Sequence, residues 1–145
     1  MTDINDTIKA EGNLHAWEYS GHQCLMVRHP SLGHWCGYVG VPLRHPLYGK
    51  HYDSADLTVH GGLTWGDDHA PDSDIVGLWW FGFDCAHAGD LMPYRGMPDE
   101  RAILGLYSAF AETANSPDVY RDAAYVREQT QQLADQLSAA TGAKQ

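Results

Sequence analysis

The longest apolar run in the chain covers residues 75–83, and its apolar residues fall on both faces of an extended backbone. A run of this kind predicts a central strand that is covered on both sides. Polar residues with reactive side chains follow the run immediately, at Asp84, Cys85, His87 and Asp90. A buried strand that ends in such a group of side chains indicates a candidate site.

Shorter strands are predicted before this run. The apolar segments 15–20 and 24–28 are separated by a glycine-containing turn, which is typical of a β-hairpin. Residues 34–41 alternate, with Trp35, Val39 and Val41 on one side, and predict a third strand. Residues 57–60 predict a short fourth strand.

The last part of the chain carries a helical period. Apolar or near-apolar positions recur in steps of three and four, at Val119, Ala123, Val126, Thr130, Leu133 and Leu137. Ser116, Pro117 and Asp118 are the residue types of an N-cap, a first helical proline and a first-turn acid. We therefore predict a C-terminal helix over residues 116–141, whereas the polar residues 1–13 are predicted to be flexible or a short cap.

Together these elements predict a single α+β domain over residues 1–145. Its antiparallel sheet of four to five strands packs against the long C-terminal helix. With 43% hydrophobic and 11% aromatic residues, the chain has the composition of a globular protein. No apolar run reaches the roughly 18 residues of a membrane span, and the polar N-terminus lacks the features of a secretory signal. No membrane partner is therefore predicted.

Charge and cysteine content narrow the function classes. A net charge of −10 argues against non-specific nucleic-acid binding, which depends on many Lys and Arg residues. It is compatible with a small anion held by one or two local arginines. The chain has three cysteines and no Cys-x-x-Cys pair, which fits free thiols in a reducing cytoplasm.

The polar residues after the apolar run suggest two kinds of chemistry. Asp84, His87 and Asp90 offer two carboxylates and an imidazole, a ligand set suited to Zn²⁺, Mn²⁺ or Fe²⁺. The alternative is that these side chains bond backbone groups and fix a turn, as buried polar groups usually do. That alternative is favoured, so no metal or other cofactor is predicted.

The second chemistry is nucleophilic catalysis by a thiolate. Cys85 or Cys36 would be the nucleophile, and the candidate bases are His60, His87 and His34. The alternative is that the cysteines are small buried hydrophobes, and that alternative is favoured. The sequence names no catalytic residue, and it favours a protein that is not an enzyme.

A set of aromatic, basic and glycine residues indicates ligand binding. Aromatic rings can stack on a nucleobase, basic side chains can meet a phosphate, and a His-Gly-Gly turn can donate backbone N–H groups. The alternative for each aromatic residue is core packing. The predicted ligand-binding residues are Trp35, Tyr38, Arg44, Tyr48, Lys50, His60, Gly61, Gly62, Trp80 and Arg95.

Three blocks of the chain resemble a known group of sequences. Residues 33–41 (GHWCGYVGV), 59–64 (VHGGLT) and 79–90 (WWFGFDCAHAGD) are similar to a family of small uncharacterised proteins encoded by phages and prophages. The resemblance implies a cytoplasmic protein of an infected or lysogenic bacterium. Small phage proteins often counter host defences, some of them by sequestering nucleotide signals.

The leading hypothesis is a binding protein for a small nucleotide-like ligand, able to form a homo-oligomer through the apolar stripe of its helix. One alternative is a metal-dependent or Cys/His hydrolase that uses Asp84, Cys85, His87 and His60. Another is a structural or partner-binding phage protein in which the same residues only hold the fold.

Overall fold

A five-stranded antiparallel sheet is the main feature of the computed structural model, which describes residues 4–94 and 118–143. Its strand order is β1-β2-β3-β5-β4, and two α-helices and one short 3-10 helix (Tyr52–Ser54) accompany the sheet in these residues. The predicted α+β fold is therefore confirmed. The elements are α1 (Ile4–Glu11), β1 (Leu14–Tyr19), β2 (His22–Arg28), β3 (Trp35–Pro42), β4 (Trp65–Asp67), β5 (Leu78–Asp84) and α2 (Ala123–Ala143).

The predicted hairpin is confirmed as β1 and β2, with Tyr19 opposite His22. Its two turn residues, Ser20 and Gly21, both have positive φ, at 55° and 81°. Positive φ at both positions is the geometry of a type I′ turn, whose twist matches that of the strands it joins. The turn thus sets the register that carries Leu14 opposite Val27.

Helix α2 covers one face of the sheet. Its Val126, Leu133 and Leu137 are fully buried and belong to the same core cluster as Trp35 and Val39 of β3. This is the face that the alternation in β3 predicted. Burying side chains of this size stabilises a fold by about 1.5–3 kcal/mol each, so the helix–sheet contact contributes much of the stability. None of the described helices is long and apolar enough to cross a membrane.

The central strand predicted from the apolar run is confirmed as β5, which lies between β3 and β4 and buries residues on both faces, but it begins at Leu78, after the exposed Ile75 and Val76. The predicted fourth strand was wrong. Residues 57–60 form no strand. The backbone N–H groups of Thr58 and His60 donate to Gln136 and Gln129 of α2, at 2.8 and 2.9 Å. These side chains replace the strand partner that a sheet would have supplied.

The helix begins later than predicted. Asp122 is its N-cap, since Asp122 Oδ1 accepts a hydrogen bond from the Tyr125 N–H at 2.8 Å. Residues 118–122 are not helical, and Val119 instead forms a parallel bridge with Asp90. Residues 116–117 of the predicted N-terminus lie outside the described residues. The helix extends to Ala143, two residues beyond the predicted end.

Residues 1–13 were predicted to be flexible or a short cap, and the part of them that the structure describes contains a helix. Residues 4–11 form α1, in which Ile8 is buried. The Glu11 carboxylate accepts hydrogen bonds from the Tyr120 hydroxyl at 2.6 Å and from the Trp35 indole at 3.1 Å. It also pairs with Arg28 at 3.3 Å. The amino-terminal helix is therefore joined to both β3 and the segment that leads into α2.

Candidate functional site

The polar residues after β5 come together with His60. After Asp84 the chain turns back, and the Asp90 N–H donates to the His87 carbonyl at 2.9 Å. The bridge to Val119 then carries Asp90 toward the start of α2. We call the resulting group the polar cluster, and it consists of His60, Asp84, His87, Asp90, Arg121 and Tyr125.

Asp90 is the buried centre of the polar cluster, with only 1% of its side chain exposed. Asp90 Oδ2 accepts from His60 Nε2 at 2.8 Å and from the His87 N–H at 3.1 Å. Asp90 Oδ1 accepts from Arg121 Nε at 2.9 Å. Burial by itself raises the pKa of Asp90, but the hydrogen bonds from His60 and Arg121 outweigh it and lower that pKa. Asp90 is therefore an ionised carboxylate.

His60 lies between the Asp90 carboxylate and the Tyr125 phenol and is hydrogen-bonded to both. An ionised carboxylate only accepts hydrogen bonds, so His60 Nε2 carries the proton and Nδ1 presents a lone pair in the neutral ring. His60 Nδ1 lies 2.7 Å from the Tyr125 hydroxyl, which donates to it. The Arg121 guanidinium lies 5.1 Å from the centre of the Tyr125 ring. Burial raises the pKa of Tyr125, so its hydroxyl keeps its proton at neutral pH.

The predicted His-Gly-Gly turn lies against His87. Gly61 has a φ of +68°, and a Cβ at this position would overlap the His87 ring. Glycine is therefore required both by the backbone conformation and by the close approach. His87 Nε2 lies 3.1 Å from Asp84 Oδ1, but the geometry is not that of a hydrogen bond, and this nitrogen has no other partner among the described residues.

Asp84, His87 and Asp90 do not have the geometry of the metal site that was considered from the sequence. Both oxygens of Asp90 already accept hydrogen bonds from protein groups. Among the residues that the structure describes, only one set of three such side chains places its donor atoms within 4.8 Å of one another. That set is fully exposed and acidic, and it consists of Asp67, Asp68 and His69.

The two cysteines of the Cys/His alternative are poorly placed to act as nucleophiles. Cys85 is buried, and burial raises its pKa well above that of an ordinary thiol. Burial likewise raises the pKa of Cys36 to about 12. A thiol of this kind stays protonated and is a poor nucleophile. His34, one of the candidate bases, is itself buried in the core.

Lowering the pH from 7.5 to 5 should destabilise the fold by about 1–2 kcal/mol through His34. Burial, followed by the stacked His29 ring, lowers the pKa of His34 from 6.5 to about 4. Between these values the unfolded chain binds a proton that the folded chain does not. This contribution is therefore present above pH 6.5 and is lost as the pH falls. Urea unfolding at both pH values measures it.

A matched pair of variants isolates the contribution of His34 to this pH dependence. His34→Gln removes the buried imidazole and should reduce the difference in unfolding free energy between the two pH values. His51→Gln replaces an exposed histidine that lies 3.8 Å from its nearest carboxylate, Asp53, and should leave the difference nearly unchanged. Equal pH dependence in the two variants would contradict the assignment.

Most of the aromatic residues predicted to bind a ligand lie in the core. Trp35 is 0% exposed, Trp80 is 1% exposed and Tyr38 is also buried. They lie on opposite faces of the sheet, because Trp35 packs under α2 while Tyr38 and Trp80 pack with Ala70 on the other face. These three rings therefore cannot form one stacking surface, and their assignment as ligand contacts was wrong.

The other predicted contacts are dispersed. Tyr48 is half-buried and its ring packs against Trp79, whereas Lys50 and Arg44 are exposed. His60, Gly61 and Gly62 belong to the turn beside the polar cluster. Arg95 lies outside the described residues.

Arg44 borders a cavity that the sequence did not indicate. The cavity has a volume of about 220 Å³ and lies between the β1–β2 turn, the chain after β3 and the last part of α2. We call it the histidine pocket. It is lined by Ser20, Gly21, His22, Pro42, Arg44, His45 and Ser138.

The two histidines of this pocket differ in their hydrogen bonding. His45 is satisfied, since Nδ1 accepts from the Leu47 N–H at 3.0 Å and Nε2 donates to the Leu137 carbonyl at 2.7 Å. His22 is only 8% exposed, yet its Nδ1 has no hydrogen-bond partner among the residues that the structure describes. Burial, followed by the charge of the His45 ring 5.9 Å away, lowers the pKa of His22, and a hydrogen bond with the Gly40 backbone offsets this only in part. The pocket therefore contains a buried, neutral imidazole with an unused nitrogen.

A larger cleft of about 360 Å³ lies near Arg28 and is also lined by Asn13, His29 and Asp72. The Arg28 side chain is already hydrogen-bonded and ion-paired within the fold. Its Nε donates to the Gly12 carbonyl, and its guanidinium also pairs with Glu11. Because Arg28 is already paired and Asp72 is acidic, this cleft is less suited to an anion than the histidine pocket.

Sequence reasoning missed four residues that matter at these two sites: Arg121, Tyr125, His22 and His45. Tyr125 lies in the first turn of α2 and Arg121 just before the helix, and in the sequence both look like ordinary surface residues. His22 and His45 are separated by 22 intervening residues and become neighbours only when the hairpin packs beside α2. The high number of histidines, nine in 145 residues, was the one available signal.

Comparison of the chain with protein-family models, curated proteins and solved structures finds no match. The resemblance to small phage and prophage proteins therefore stays a prediction.

Proposed function

We propose that this protein binds a small anionic ligand, of the kind that carries a phosphoryl group, in the histidine pocket. The observation that carries the proposal is the unpaired Nδ1 of His22 beside Arg44. Buried polar atoms nearly always have a partner, and leaving one unpaired costs about 1–3 kcal/mol. A ligand that contacts this nitrogen removes that cost.

The chemistry of the lining selects an anion. Arg44 is exposed and forms no hydrogen bond or ion pair with any residue that the structure describes. Its planar guanidinium matches the oxygens of a phosphate or carboxylate. Ser20 and Ser138 add hydroxyl groups, which at present bond each other at 3.1 Å. The overall charge of −10 repels anions, so binding depends on these close contacts.

The size of the pocket limits what it encloses. A volume of about 220 Å³ is below the roughly 300–1,000 Å³ of cavities that enclose drug-sized ligands. The pocket therefore suits a phosphoryl group or a small acid, while the rest of a nucleotide-like ligand would lie outside. Capture of such a ligand without chemical change is the function that follows, and sequestration of a host signal is a role it would serve in a phage protein.

Sulfate and inorganic phosphate should raise the melting temperature of the protein, while an uncharged nucleoside should not. Ligand at 100 times its dissociation constant adds about 2.7 kcal/mol to the free energy of unfolding. A nucleoside monophosphate should bind at least as tightly as phosphate. Arg44→Gln should abolish the shift, whereas Arg127→Gln, at an exposed position on α2, should keep it. Absence of any shift, or its persistence in Arg44→Gln, would overturn the proposal.

The pH dependence of sulfate binding tests the role of His22, since sulfate keeps its charge throughout. A bound anion favours the protonated imidazole, so the pKa of His22 is higher in the complex than in the free protein. Affinity should therefore rise as the pH falls from 7.5 to 5.5, by on the order of tenfold for each unit of difference between the two pKa values. His22→Gln should lose this dependence, which calorimetry measures.

A further inference from the structure

The polar cluster contains a chain of three hydrogen-bonded side chains from distant parts of the sequence. The Tyr125 hydroxyl donates to His60 Nδ1 at 2.7 Å, and His60 Nε2 donates to Asp90 Oδ2 at 2.8 Å. These distances are those of a nucleophile, its general base and the group that orients the base. We propose that Tyr125, His60 and Asp90 form a catalytic triad that acts on small phosphoesters.

Solvent exposure increases along the triad in the direction that such a reaction needs. Asp90 is buried, His60 has 13% of its side chain exposed, and Tyr125 is half-buried on α2. The orienting group is therefore buried, and exposure increases from Asp90 to the Tyr125 side chain. The His60 loop is also held through its backbone, since Gln129 binds the His60 N–H at 2.9 Å.

The guanidinium of Arg121 indicates which class of substrate the triad acts on. Its Nε is bound to Asp90, and its two terminal nitrogens have no hydrogen-bond partner among the described residues. The guanidinium lies beside the Tyr125 ring, with 29% of the side chain exposed. Guanidinium groups recognise phosphate oxygens and stabilise the negative charge that develops on them during transfer. A phosphoester bound to Arg121 is thus placed beside the ring that carries the Tyr125 hydroxyl.

The first step forms a phosphotyrosyl intermediate. Tyr125 Oη attacks the phosphorus, a new O–P bond forms, and the bond to the leaving oxygen breaks with its electron pair. The phenol proton moves to His60 Nδ1 and then to the leaving oxygen, so an alcohol departs. Asp90 stays ionised and stabilises the imidazolium that forms in between. Because burial raises the pKa of Tyr125, the phenol needs this base.

The second step restores the protein. A water molecule attacks the phosphorus while His60 Nδ1 takes one of its protons, and the Tyr125 O–P bond breaks. The proton on His60 then returns to Tyr125 Oη, and the phosphate product leaves. The whole reaction is hydrolysis of one phosphoester bond and requires no oxidant or reductant.

The triad is separate from the histidine pocket. Tyr125 and Ser138 both belong to α2 and are 13 positions apart, which corresponds to about 20 Å along a helix. Loss of anion binding in Arg44→Gln therefore leaves the triad intact, and the two proposals can fail independently.

A fluorophosphonate probe tests the nucleophile on the full chain. The phenol displaces fluoride from phosphorus, hydrogen fluoride is lost, and a stable Tyr–O–P adduct remains for peptide mass spectrometry. Labelling should occur at Tyr125 and disappear in Tyr125→Phe, which removes one oxygen atom and leaves the ring. Tyr19→Phe is the matched control, because Tyr19 also donates its hydroxyl to an acidic side chain, Asp135 at 3.2 Å, but has no histidine base.

Turnover and pH profile separate catalysis from a structural role. Wild-type protein and Tyr19→Phe should release 4-nitrophenolate from bis(4-nitrophenyl) phosphate, and Tyr125→Phe should not. In Asp90→Asn the amide donates to Nε2, so Nδ1 carries the proton and no longer accepts from Tyr125. The rate of labelling should then fall at least tenfold and no longer rise with pH. Labelling of Tyr125 no faster than Tyr19, or turnover that survives Tyr125→Phe, would overturn the proposal.

Discussion

Replacing Glu11 with alanine should lower the free energy of unfolding by about 3–5 kcal/mol, which is a large fraction of the stability of a domain of this size. The reason is Arg28, which is only 4% exposed and whose charge is paired with Glu11. Without the carboxylate, a buried guanidinium is left with no counter-charge among the described residues. Removing one partner of a buried ion pair lowers the free energy of unfolding far more than replacing both partners by apolar residues.

The loss extends beyond Arg28 because Glu11 is bound by four groups at once. Its Oε1 also accepts from the Trp35 indole at 3.1 Å and from the Tyr120 hydroxyl at 2.6 Å. Its Oε2 accepts from the Ala123 N–H at 2.9 Å, which is one of the unpaired donors at the start of α2. The substitution therefore leaves buried donors in three different parts of the fold without a partner.

Urea unfolding followed by tryptophan fluorescence measures this effect. Glu18→Ala is the matched control, since Glu18 is exposed on β1 and its loss should change stability by less than about 0.5 kcal/mol. Glu11→Gln keeps an oxygen acceptor but not the charge, so its stability should fall between the two. If Glu11→Ala were as stable as Glu18→Ala, the contacts of α1 would contribute nothing to the fold.

Replacing Gly37 with alanine should lower the free energy of unfolding by about 2–3 kcal/mol. Gly37 lies in β3 where the sheet meets α2. A Cβ atom there would lie 2.5 Å from both Phe83 Cε1 and Thr130 Oγ1. Both neighbours are fully buried, so the added methyl group fits only if the helix moves away from the sheet.

The matched control is Gly66→Ala, also at a strand glycine. The nearest atom to a Cβ at Gly66 is Trp79 Nε1 at 3.6 Å, an ordinary contact, so this change should stay within about 0.5 kcal/mol of wild type. Thr130→Ala in the Gly37→Ala background should recover part of the lost stability, because it removes one of the two clashing groups. A Gly37→Ala protein as stable as Gly66→Ala would show that the helix–sheet spacing is not tight.

Local patterns predicted the elements but not all of their limits. The alternation in β3 and the helical period of α2 are repeated over many residues, so both elements were predicted correctly. The start of α2 was missed because its cap is not the local Ser-Pro-Asp signal. Asp122 and Glu11 supply the capping oxygens instead, and Glu11 lies 112 residues from the N–H that it binds.

Local patterns likewise predicted only part of the candidate sites. His60, His87 and Asp90 were singled out because polar side chains follow a buried run or adjoin a glycine turn. The structure brings His60 to Asp90 from a turn at residues 60–61, and no pattern in the sequence indicated this contact. The aromatic residues were misassigned because composition alone does not distinguish a ring under a helix from one on a surface, as with Trp35 and Trp80.

The amino-acid sequence by itself determined the fold class, the hairpin turn and the buried strand that ends in reactive side chains, since these depend on the periods 2 and 3.6 and on local turn chemistry. Only the tertiary structure decided what those side chains contact. The hydrogen bond between His60 and Tyr125 spans 65 residues, and it exists because the first turn of α2 packs beside a glycine turn. The unpaired nitrogen of His22 likewise results from the packing of the hairpin against the end of that helix, which no local pattern encodes.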